Sequence, residues 1–539
     1  MFLTDRRTVL VGLSSTLAAA ALAQNMPVVE TASGKLQGFV QEGAIAFFGI
    51  PYAAPPFGPL RYRSPQPAAP WAGIRDASKP GAASIQTLAG AAAWLYDGAD
   101  PQSEDCLFLN VWTPSAQGKR PVMVWLHGGA WRTGHGLVAG TNGAALAARG
   151  DVVVVTVNYR LGALGWLAHP DLKDERSGTF ANWGHQDQIA ALRWVKDNIA
   201  AFGGDPARVT IFGQSAGGQS VATIAQNPAN AGLFDKIIIQ SGSLHGAPGF
   251  PELDTAAAYA EALAKRLGTS IAGLRELPAQ QLHDAELQLA RDPAMVRSLG
   301  RPPILPVLDG KVLTAWPRDG QLPAVPVLIG TTRDEGVFWY DLVNPDGKAV
   351  GGPKSPQTEA ELQAMIRDLI AIYRPEAAHL PVAEIVEAYR STATPAEGDA
   401  LKSSWIAAYG DIVFRLRALE AARRHARAGH AAYLYEFDHP LAPPARGVPH
   451  TAEIPFVFGT YRHPFFSAKV GAGQAEARLS ELMLASWARF AHTGTPASDI
   501  SGAWRPVSPD GKGINVLGRE SGYQLADAVQ PERTAAWRI

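Results

Sequence analysis

Short hydrophobic runs, rich in β-branched residues and bounded by turn signals, recur along the chain. They show little alternation between apolar and polar positions, which is typical of strands covered on both faces. The pattern predicts buried strands at residues 121–127, 151–159, 208–213, 236–242, 326–331 and 432–437.

Helical patterns lie between these runs. Residues 185–204 place apolar side chains on one face and end at Gly203 and Gly204, and residues 480–494 repeat the pattern. Residues 355–430 are largely helical, and we expect this insertion to build one wall of a pocket. Strands that alternate with helices predict an α/β fold with a large, mostly parallel central sheet, helices on both faces and helical insertions.

Composition narrows the class of protein. The 539 residues are 47% hydrophobic and 18% charged, which is typical of a folded soluble domain. A net charge of −1 offers no basic surface for nucleic acid and no attraction to an anionic membrane. The lone Cys106 excludes an intramolecular disulfide and a cysteine-based metal site, and we expect a buried thiol.

Residues 1–23 form a separate segment. Arg6 and Arg7 precede a short apolar stretch that ends in small residues at 21–23. This layout is typical of a cleaved export signal, and the paired arginines indicate the twin-arginine route. We therefore expect a periplasmic or secreted protein whose residues 24–539 form a single domain, since no linker or repeat divides them.

The first candidate for chemistry is Ser215, which lies between Gly213 and Gly217 in the stretch "GQSAG". Between a strand and a helix, Gly-x-Ser-x-Gly predicts a tight, strained turn in which a side chain at either glycine would collide. The turn directs the hydroxyl to the carboxyl edge of the sheet, where ligands bind. The backbone N–H of Ala216 begins a helix and can donate to an oxyanion. A purely structural turn is the alternative.

A second candidate is the loop "HGGAW" at residues 127–131, which follows a predicted strand. Its uncrowded backbone can turn N–H groups toward a carbonyl oxygen that gains charge. The alternative is a loop that only reverses the chain.

A serine nucleophile needs a base, and the base needs an acid to orient it. In this fold the acid follows the serine and precedes the histidine. The stretch "TTRDEG" supplies Asp334 and Glu335, while His439 and His450 both follow the strand at 432–437. Spacing alone does not choose within either pair.

Several ordered motifs resemble the type-B carboxylesterases, an α/β-hydrolase family that includes cholinesterases and many bacterial esterases. The resemblance runs through almost the whole mature length. Its motifs are "FFGIPYAAPPFGPLRYRSPQP", "SEDCLFLNVWTP", "HGGAW", "NYRLGALGWL", "FGGDPARVTIFGQSAGG", "IIIQSGS", "GTTRDEG", "PHTAEIPFVFG" and "WARFAHTGTP".

The resemblance assigns the roles that spacing left open. It implies Ser215 as the nucleophile, Glu335 as the acid and His450 as the base. It also implies that Ser241 is a buried hydroxyl that supports the acid.

The resemblance further implies an oxyanion hole made of three backbone N–H groups, those of Gly129, Ala130 and Ala216. Trp131 follows directly, and we expect it to limit the size of the acyl group. The ion pairs Arg61–Glu104 and Arg160–Asp187 resemble internal, structural pairs of the family.

Two departures from the family pattern bear on the substrate. Cholinesterase-like members form a disulfide that ends at the Cys106 position, but here Ser84 stands near the expected position of the partner cysteine. Without this disulfide, we expect the loop that carries Trp94 to be more mobile. Trp94 either packs or offers a cation–π face. Gln214 replaces the glutamate that many members have before the nucleophile, which argues against a quaternary ammonium substrate.

The resemblance implies hydrolysis of a small-molecule carboxylic ester through an acyl-enzyme, without a metal or organic cofactor. An amidase or an acyltransferase could use the same intermediate. Some relatives of this fold are non-catalytic adhesion or scaffold proteins, but these generally lack a member of the triad.

Overall fold

The computed structural model describes residues 26–99, 101–247, 249–293, 295, 304–392, 399–500, 502–518 and 522–538. The predicted export signal, residues 1–23, lies outside the described residues, so its cleavage stays a prediction.

Most strands of the described chain join one eleven-stranded sheet, and β1, β2 and β5 form a separate small sheet. The order in the large sheet is β14-β13-β12-β11-β10-β9-β7-β8-β6-β4-β3. The strands are β1 (Val28–Thr31), β2 (Gly34–Gln37), β3 (Phe39–Gln41), β4 (Ala44–Pro51), β5 (Ile74–Asp76), β6 (Phe108–Thr113), β7 (Arg120–Leu126), β8 (Val153–Val157), β9 (Gly204–Gln214), β10 (Lys236–Gln240), β11 (Val327–Thr332), β12 (Ala432–Phe437), β13 (Ile514–Leu517) and β14 (Tyr523–Ala526).

The six strands predicted from hydrophobic runs are confirmed as β7 to β12. They lie next to one another and pair in parallel, with β7 between β8 and β9. Antiparallel strands complete the edges, since β3, β4 and β6 extend the sheet beyond β8, and β14 pairs with β13. Parallel pairing brings the carboxyl ends of the six central strands to one edge of the sheet.

The helices of the described chain surround this sheet. They are α1 (Ala91–Leu95), α2 (Ala144–Gly150), α3 (Gly162–Trp166), α4 (Trp183–Asn198), α5 (Ala216–Gln226), α6 (Leu253–Arg266), α7 (Ala279–Leu289), α8 (Val337–Tyr340), α9 (Glu359–Tyr373), α10 (Val382–Thr392), α11 (Ala400–Gly410), α12 (Leu416–Arg427), α13 (Ile454–Phe458), α14 (Pro464–Val470), α15 (Gln474–Thr493) and α16 (Pro531–Ala536). A π-helical turn, Asp411–Arg415, joins α11 to α12.

Helices cover both faces of the sheet, as predicted. Along β7, Val124 points into the core that contains α4 and α5, whereas Trp125 points into the core that contains α15. The helical interpretation of residues 355–430 is confirmed by α9 to α12. Within the described residues, no helix combines the length and the apolar character needed to cross a bilayer.

Candidate active site

The turn around Ser215 has the strained geometry that its two glycines predict. Ser215 joins β9 to α5 with φ 58° and ψ −125°. A Cβ on Gly217 would lie 1.9 Å from the carbonyl oxygen of Leu126, and one on Gly213 would lie 2.6 Å from the same atom. Only glycine fits either position, so the close approach of β7 holds the serine at the carboxyl edge of the sheet.

Glu335 and His450 meet at this edge although they are 115 positions apart. Glu335 follows β11, His450 follows β12, and the two strands are paired neighbours. His450 Nδ1 lies 2.5 Å from Glu335 Oε2, and both side chains are buried. Glu335 Oε1 also accepts a hydrogen bond from the backbone N–H of Thr332 at 3.0 Å. The carboxylate therefore places the ring proton on Nδ1 and leaves Nε2 as an acceptor.

The other two candidates from the sequence, Asp334 and His439, form different contacts. Asp334 accepts a hydrogen bond from Val448 N at 3.0 Å and pairs with Arg333 at 2.8 Å. His439 Nε2 lies 3.2 Å from Glu476 Oε1.

Gln214 forms a hydrogen bond with the second ring nitrogen of His450. Its Nε2 lies 3.0 Å from His450 Nε2, and because that ring nitrogen is an acceptor, the amide donates to it. Among the described residues, no hydrogen bond joins Ser215 to His450 in this structure. The resting contact of the imidazole is therefore with Gln214 and not with the neighbouring serine.

The loop after β7 presents its backbone to Ser215. Gly129 and Ala130 have φ values of 98° and 53°. A Cβ built on Gly128 would lie 3.1 Å from Ser215 Cβ, so the loop packs directly against the serine. Across the described chain, the N–H groups of Gly129, Ala130 and Ala216 find no protein acceptor. All three are available to a ligand.

His127, the first residue of this loop, is held in place by Tyr159. Its ring stacks on Tyr159 with centroids 4.2 Å apart, and the Tyr159 hydroxyl donates to the carbonyl oxygen of His127 at 2.7 Å. Burial lowers the pKa of His127 to about 3, so the ring is neutral at physiological pH.

Comparison with known proteins places this arrangement in a family. The sequence profile described as "Carboxylesterase family" matches residues 25–537. The chain belongs to the carboxylesterase family. Membership confirms the α/β-hydrolase fold and makes the chain a carboxylic ester hydrolase, of the type-B group that the motifs indicate.

Individual relatives support the same assignment. Phenmedipham hydrolase of Pseudarthrobacter oxydans is 33% identical over 94% of this chain and 98% of its own length. Para-nitrobenzyl esterase of Bacillus subtilis is 35% identical over 88% of this chain and 91% of its own. Among solved structures, a PNB esterase superposes with a TM-score of 0.77 at 31% identity, covering 95% of this chain and 100% of that one.

The two tryptophans predicted near the pocket of this carboxylesterase are both buried, 5% exposed at Trp131 and 4% at Trp94. Trp131 Nε1 donates to Ser220 Oγ at 3.1 Å, and its ring contacts Phe250 with centroids 5.7 Å apart. Lys469 Nζ donates to the backbone oxygen of Trp94 at 2.6 Å and lies 5.0 Å from the centre of its ring. The cation that contacts the Trp94 ring is therefore Lys469 of the protein itself. This contact anchors the loop that carries Trp94.

Sequence reasoning missed an aromatic collar around His450. Phe338, Trp339 and Phe414 place their ring centroids 5.7, 4.9 and 4.8 Å from that of His450. The first two belong to α8, directly after Glu335 in the stretch "DEGVFWY", which is a readable signal. Phe414 comes from the π-helical turn, and nothing in the sequence connects it with His450.

Two further buried polar residues are Ser241, directly after β10, and Glu453, three residues after His450. The Ser241 hydroxyl is buried without a hydrogen-bond partner in the described chain, so its supporting role stays a prediction. Glu453, which sequence reasoning also missed, accepts a hydrogen bond from Gln240 Nε2 at 3.0 Å. Burial, followed by the charge of Glu335, raises the pKa of Glu453 to about 7.

Both predicted internal ion pairs are confirmed. Arg61 Nε lies 2.5 Å from Glu104, and the fully buried Arg160 and Asp187 are 2.7 Å apart. Each arginine contacts both oxygens of its carboxylate, which is the strong, bidentate form of the pair.

Cys106 is a buried free thiol, as predicted. Burial raises its pKa, which keeps it protonated and unreactive. Ser84 is also buried, and its hydroxyl accepts a hydrogen bond from the backbone N–H of Leu161 at 3.2 Å.

Proposed function

We propose that this carboxylesterase cleaves its ester through a covalent acyl-enzyme, with Ser215 as the nucleophile, His450 as the base and Glu335 as the orienting acid. The observation that carries the proposal is the 2.5 Å contact between His450 Nδ1 and Glu335 Oε2, beside a serine in a strained strand-to-helix turn. This contact holds the imidazole in the tautomer that can accept a proton at Nε2.

Attack requires His450 to exchange one partner for another. In this structure His450 Nε2 accepts a hydrogen bond from the Gln214 amide. We infer that substrate binding moves the imidazole to the Ser215 hydroxyl, since the contacts of catalytic bases often tighten only when substrate is bound. Gln214 then acts as a placeholder that keeps a buried nitrogen paired between turnovers.

The chemical steps follow from the donors at this edge. Ser215 Oγ forms a bond to the ester carbonyl carbon while its proton passes to His450 Nε2. The N–H groups of Gly129, Ala130 and Ala216 stabilise the resulting oxyanion. His450 returns the proton to the leaving alkoxide, and the alcohol departs. Water then attacks the acyl-enzyme by the same route and releases the acid.

The walls favour apolar, uncharged esters. Trp131 follows the loop of Gly129 and Ala130 and contacts Phe250, and the aromatic collar surrounds His450. Gln214 contributes no negative charge, so a cationic alcohol group gains little there. We propose esters with aromatic or apolar groups, in keeping with the para-nitrobenzyl esterase among its relatives.

Burst kinetics test the acyl-enzyme. Mixing the purified protein with p-nitrophenyl acetate is expected to release about one p-nitrophenol per active site before the steady state. Ser215→Ala is expected to abolish the burst. A burst that survives in this variant would contradict the proposal.

Competition separates hydrolysis from transfer. An added alcohol or amine is expected to compete poorly with water for the acyl group. If esters or amides formed faster than free acid, the protein would be a transferase.

We also propose that the protein is exported and loses residues 1–23. The paired Arg6 and Arg7, the short apolar stretch after them and the small residues at 21–23 support this proposal. N-terminal sequencing of the protein from its native host tests this, and an intact Met1 on the exported protein would contradict it.

A further inference from the structure

A second candidate site lies outside the catalytic cleft, along the helix α12. A cleft of about 410 Å³ opens between α12 and the segment that precedes β11. Five arginines line it beside a single carboxylate, and we call it the arginine cleft. Its charged residues are Arg318, Arg417, Glu420, Arg423, Arg424 and Arg427.

The spacing of the helix brings these side chains together. Arg417, Glu420, Arg424 and Arg427 follow one another at intervals of three or four residues, which places them on one face. Arg318 faces them from the segment before β11, and its backbone oxygen accepts a hydrogen bond from Arg424 Nη1 at 2.7 Å.

Two of the five arginines have carboxylate partners. Arg318 binds both oxygens of Asp319 at 2.7 and 2.9 Å. Arg417 lies 3.0 Å from Glu420 and 3.1 Å from Glu376. These two positive charges are largely neutralised.

The other three have no carboxylate within ion-pair distance in the described chain. Arg423, Arg424 and Arg427 each donate to a backbone carbonyl, at 2.6, 2.7 and 3.1 Å respectively. A carbonyl fixes the direction of a guanidinium but does not neutralise its charge. The cleft therefore holds three positive charges that no carboxylate of the described residues contacts directly, and Glu420 and Asp319 act on Arg424 only from a greater distance.

Two of the arginines that line the cleft also have a buried, unpaired donor. The Nε atoms of Arg417 and Arg423 are inaccessible and lack an acceptor among the described residues, and Arg417 as a whole is only 5% exposed. Buried polar groups of this kind normally find a partner. Burial lowers the pKa of both Arg417 and Arg424, which reflects the cost of keeping these charges away from water.

We propose that the arginine cleft binds a small multivalent oxyanion that carries carboxylate or phosphate groups. A planar guanidinium offers paired N–H donors that match such oxygens, and five arginines line this cleft of small-molecule size. The site does not depend on Ser215 or on the identity of the ester.

Calorimetric titration of the full chain tests the proposal, with citrate and tripolyphosphate as probes and acetate as the monovalent control, all at one ionic strength. We expect both multivalent anions to bind with one ion per chain and to raise the melting temperature, and acetate to do neither. Binding of citrate alone or of tripolyphosphate alone would identify the source as a polycarboxylate or a phosphate compound, and either result supports the site.

Variants then locate the binding. Arg424→Gln and Arg427→Gln are expected to weaken it at least about tenfold, because each removes a charge-assisted donor. Arg193→Gln, an exposed arginine on α4, is the matched control and should leave the affinity unchanged. Unchanged hydrolysis of p-nitrophenyl acetate shows that each variant is folded.

Three results would overturn the proposal. One is the absence of binding by both multivalent anions. Another is an equal loss of affinity in the Arg193→Gln control, which would indicate general charge screening. The third is binding of several ions per chain, which would indicate loose attraction to the charged surface and not one site.

Discussion

The two walls of the candidate active site are built in different ways. The wall from the first half of the chain consists of the short loops that follow β7 and β9. These loops have strained backbone, since Ser215, Gly129 and Ala130 all have positive φ. The wall from the second half uses side chains carried by helices, with Phe338 and Trp339 on α8 and Phe414 on the turn before α12.

We expect the first wall to serve the chemical reaction and the second wall to determine which esters are preferred. Backbone N–H groups and a strained serine have one geometry that serves every ester, because each ester passes through the same kind of oxyanion. Side chains on inserted helices can change in size and charge without disturbing the sheet. We therefore expect changes in the first wall to abolish turnover or folding, and changes around the second wall to alter preference and pH response.

The largest effect is expected for Ser215→Ala, which removes the proposed reacting atom of the first wall. By analogy with other serine triads, kcat should fall on the order of a millionfold. Stopped-flow assays with p-nitrophenyl acetate measure it. Ser243→Ala is a suitable control, since Ser243 follows the neighbouring β10 and its hydroxyl forms a single hydrogen bond within the described residues, 3.4 Å to Gln219. A loss below tenfold in Ser215→Ala would exclude it as the nucleophile.

Gly217→Ala tests whether the first wall depends on close packing of backbone. The added Cβ would lie 1.9 Å from Leu126 O, so overpacking should cost about 1–3 kcal/mol or more of the free energy of unfolding. Thermal unfolding and soluble yield report the change. Gly351→Ala is the matched control, because no atom lies within 4 Å of its added Cβ. Equal stability of the two variants would refute the packing argument.

Gln214→Glu sharpens the contrast by adding charge where the two walls meet. A carboxylate cannot donate to a neutral Nε2, but it stabilises the protonated imidazole and attracts a cation. The ratio of kcat/KM for choline esters over neutral esters should rise about tenfold, equivalent to about 1.4 kcal/mol. The acid limb of the rate profile should also move to higher pH. Gln214→Met, which is similar in size and uncharged, controls for the lost hydrogen bond, and an equal ratio in both variants would refute the charge argument.

The smallest effect is expected for Glu453→Gln, three residues after His450. The pKa of Glu453 is raised from 4.5 to about 7, so its protonated form favours the folded state. This stabilisation is complete below about pH 4.5 and is lost as the pH rises to about 7. The melting temperature of the wild type relative to Glu453→Gln should therefore fall by a few degrees between pH 4.5 and 8. Glu175→Gln, at an exposed position, should show no such trend.

The sequence by itself determined the scaffold and the backbone chemistry of this protein. Local patterns carry such features: buried parallel strands are continuous hydrophobic runs, and a strained turn with no room for side chains requires glycine at 213 and 217. Resemblance to the family added the choice of Glu335 and His450, which spacing had left open, and the structure brings that pair together.

Only the tertiary structure decided the contacts between distant side chains. Three such contacts join segments that are far apart in the chain: the hydrogen bond from Gln214 to His450, the packing of Phe414 against the imidazole, and the hydrogen bond from Arg424 to the backbone oxygen of Arg318. The expectation of a more mobile Trp94 loop remains untested, but the structure shows the anchor that Lys469 supplies. Such contacts leave no periodic signature, because they depend on how inserted helices dock on the sheet and not on the local preference of either partner.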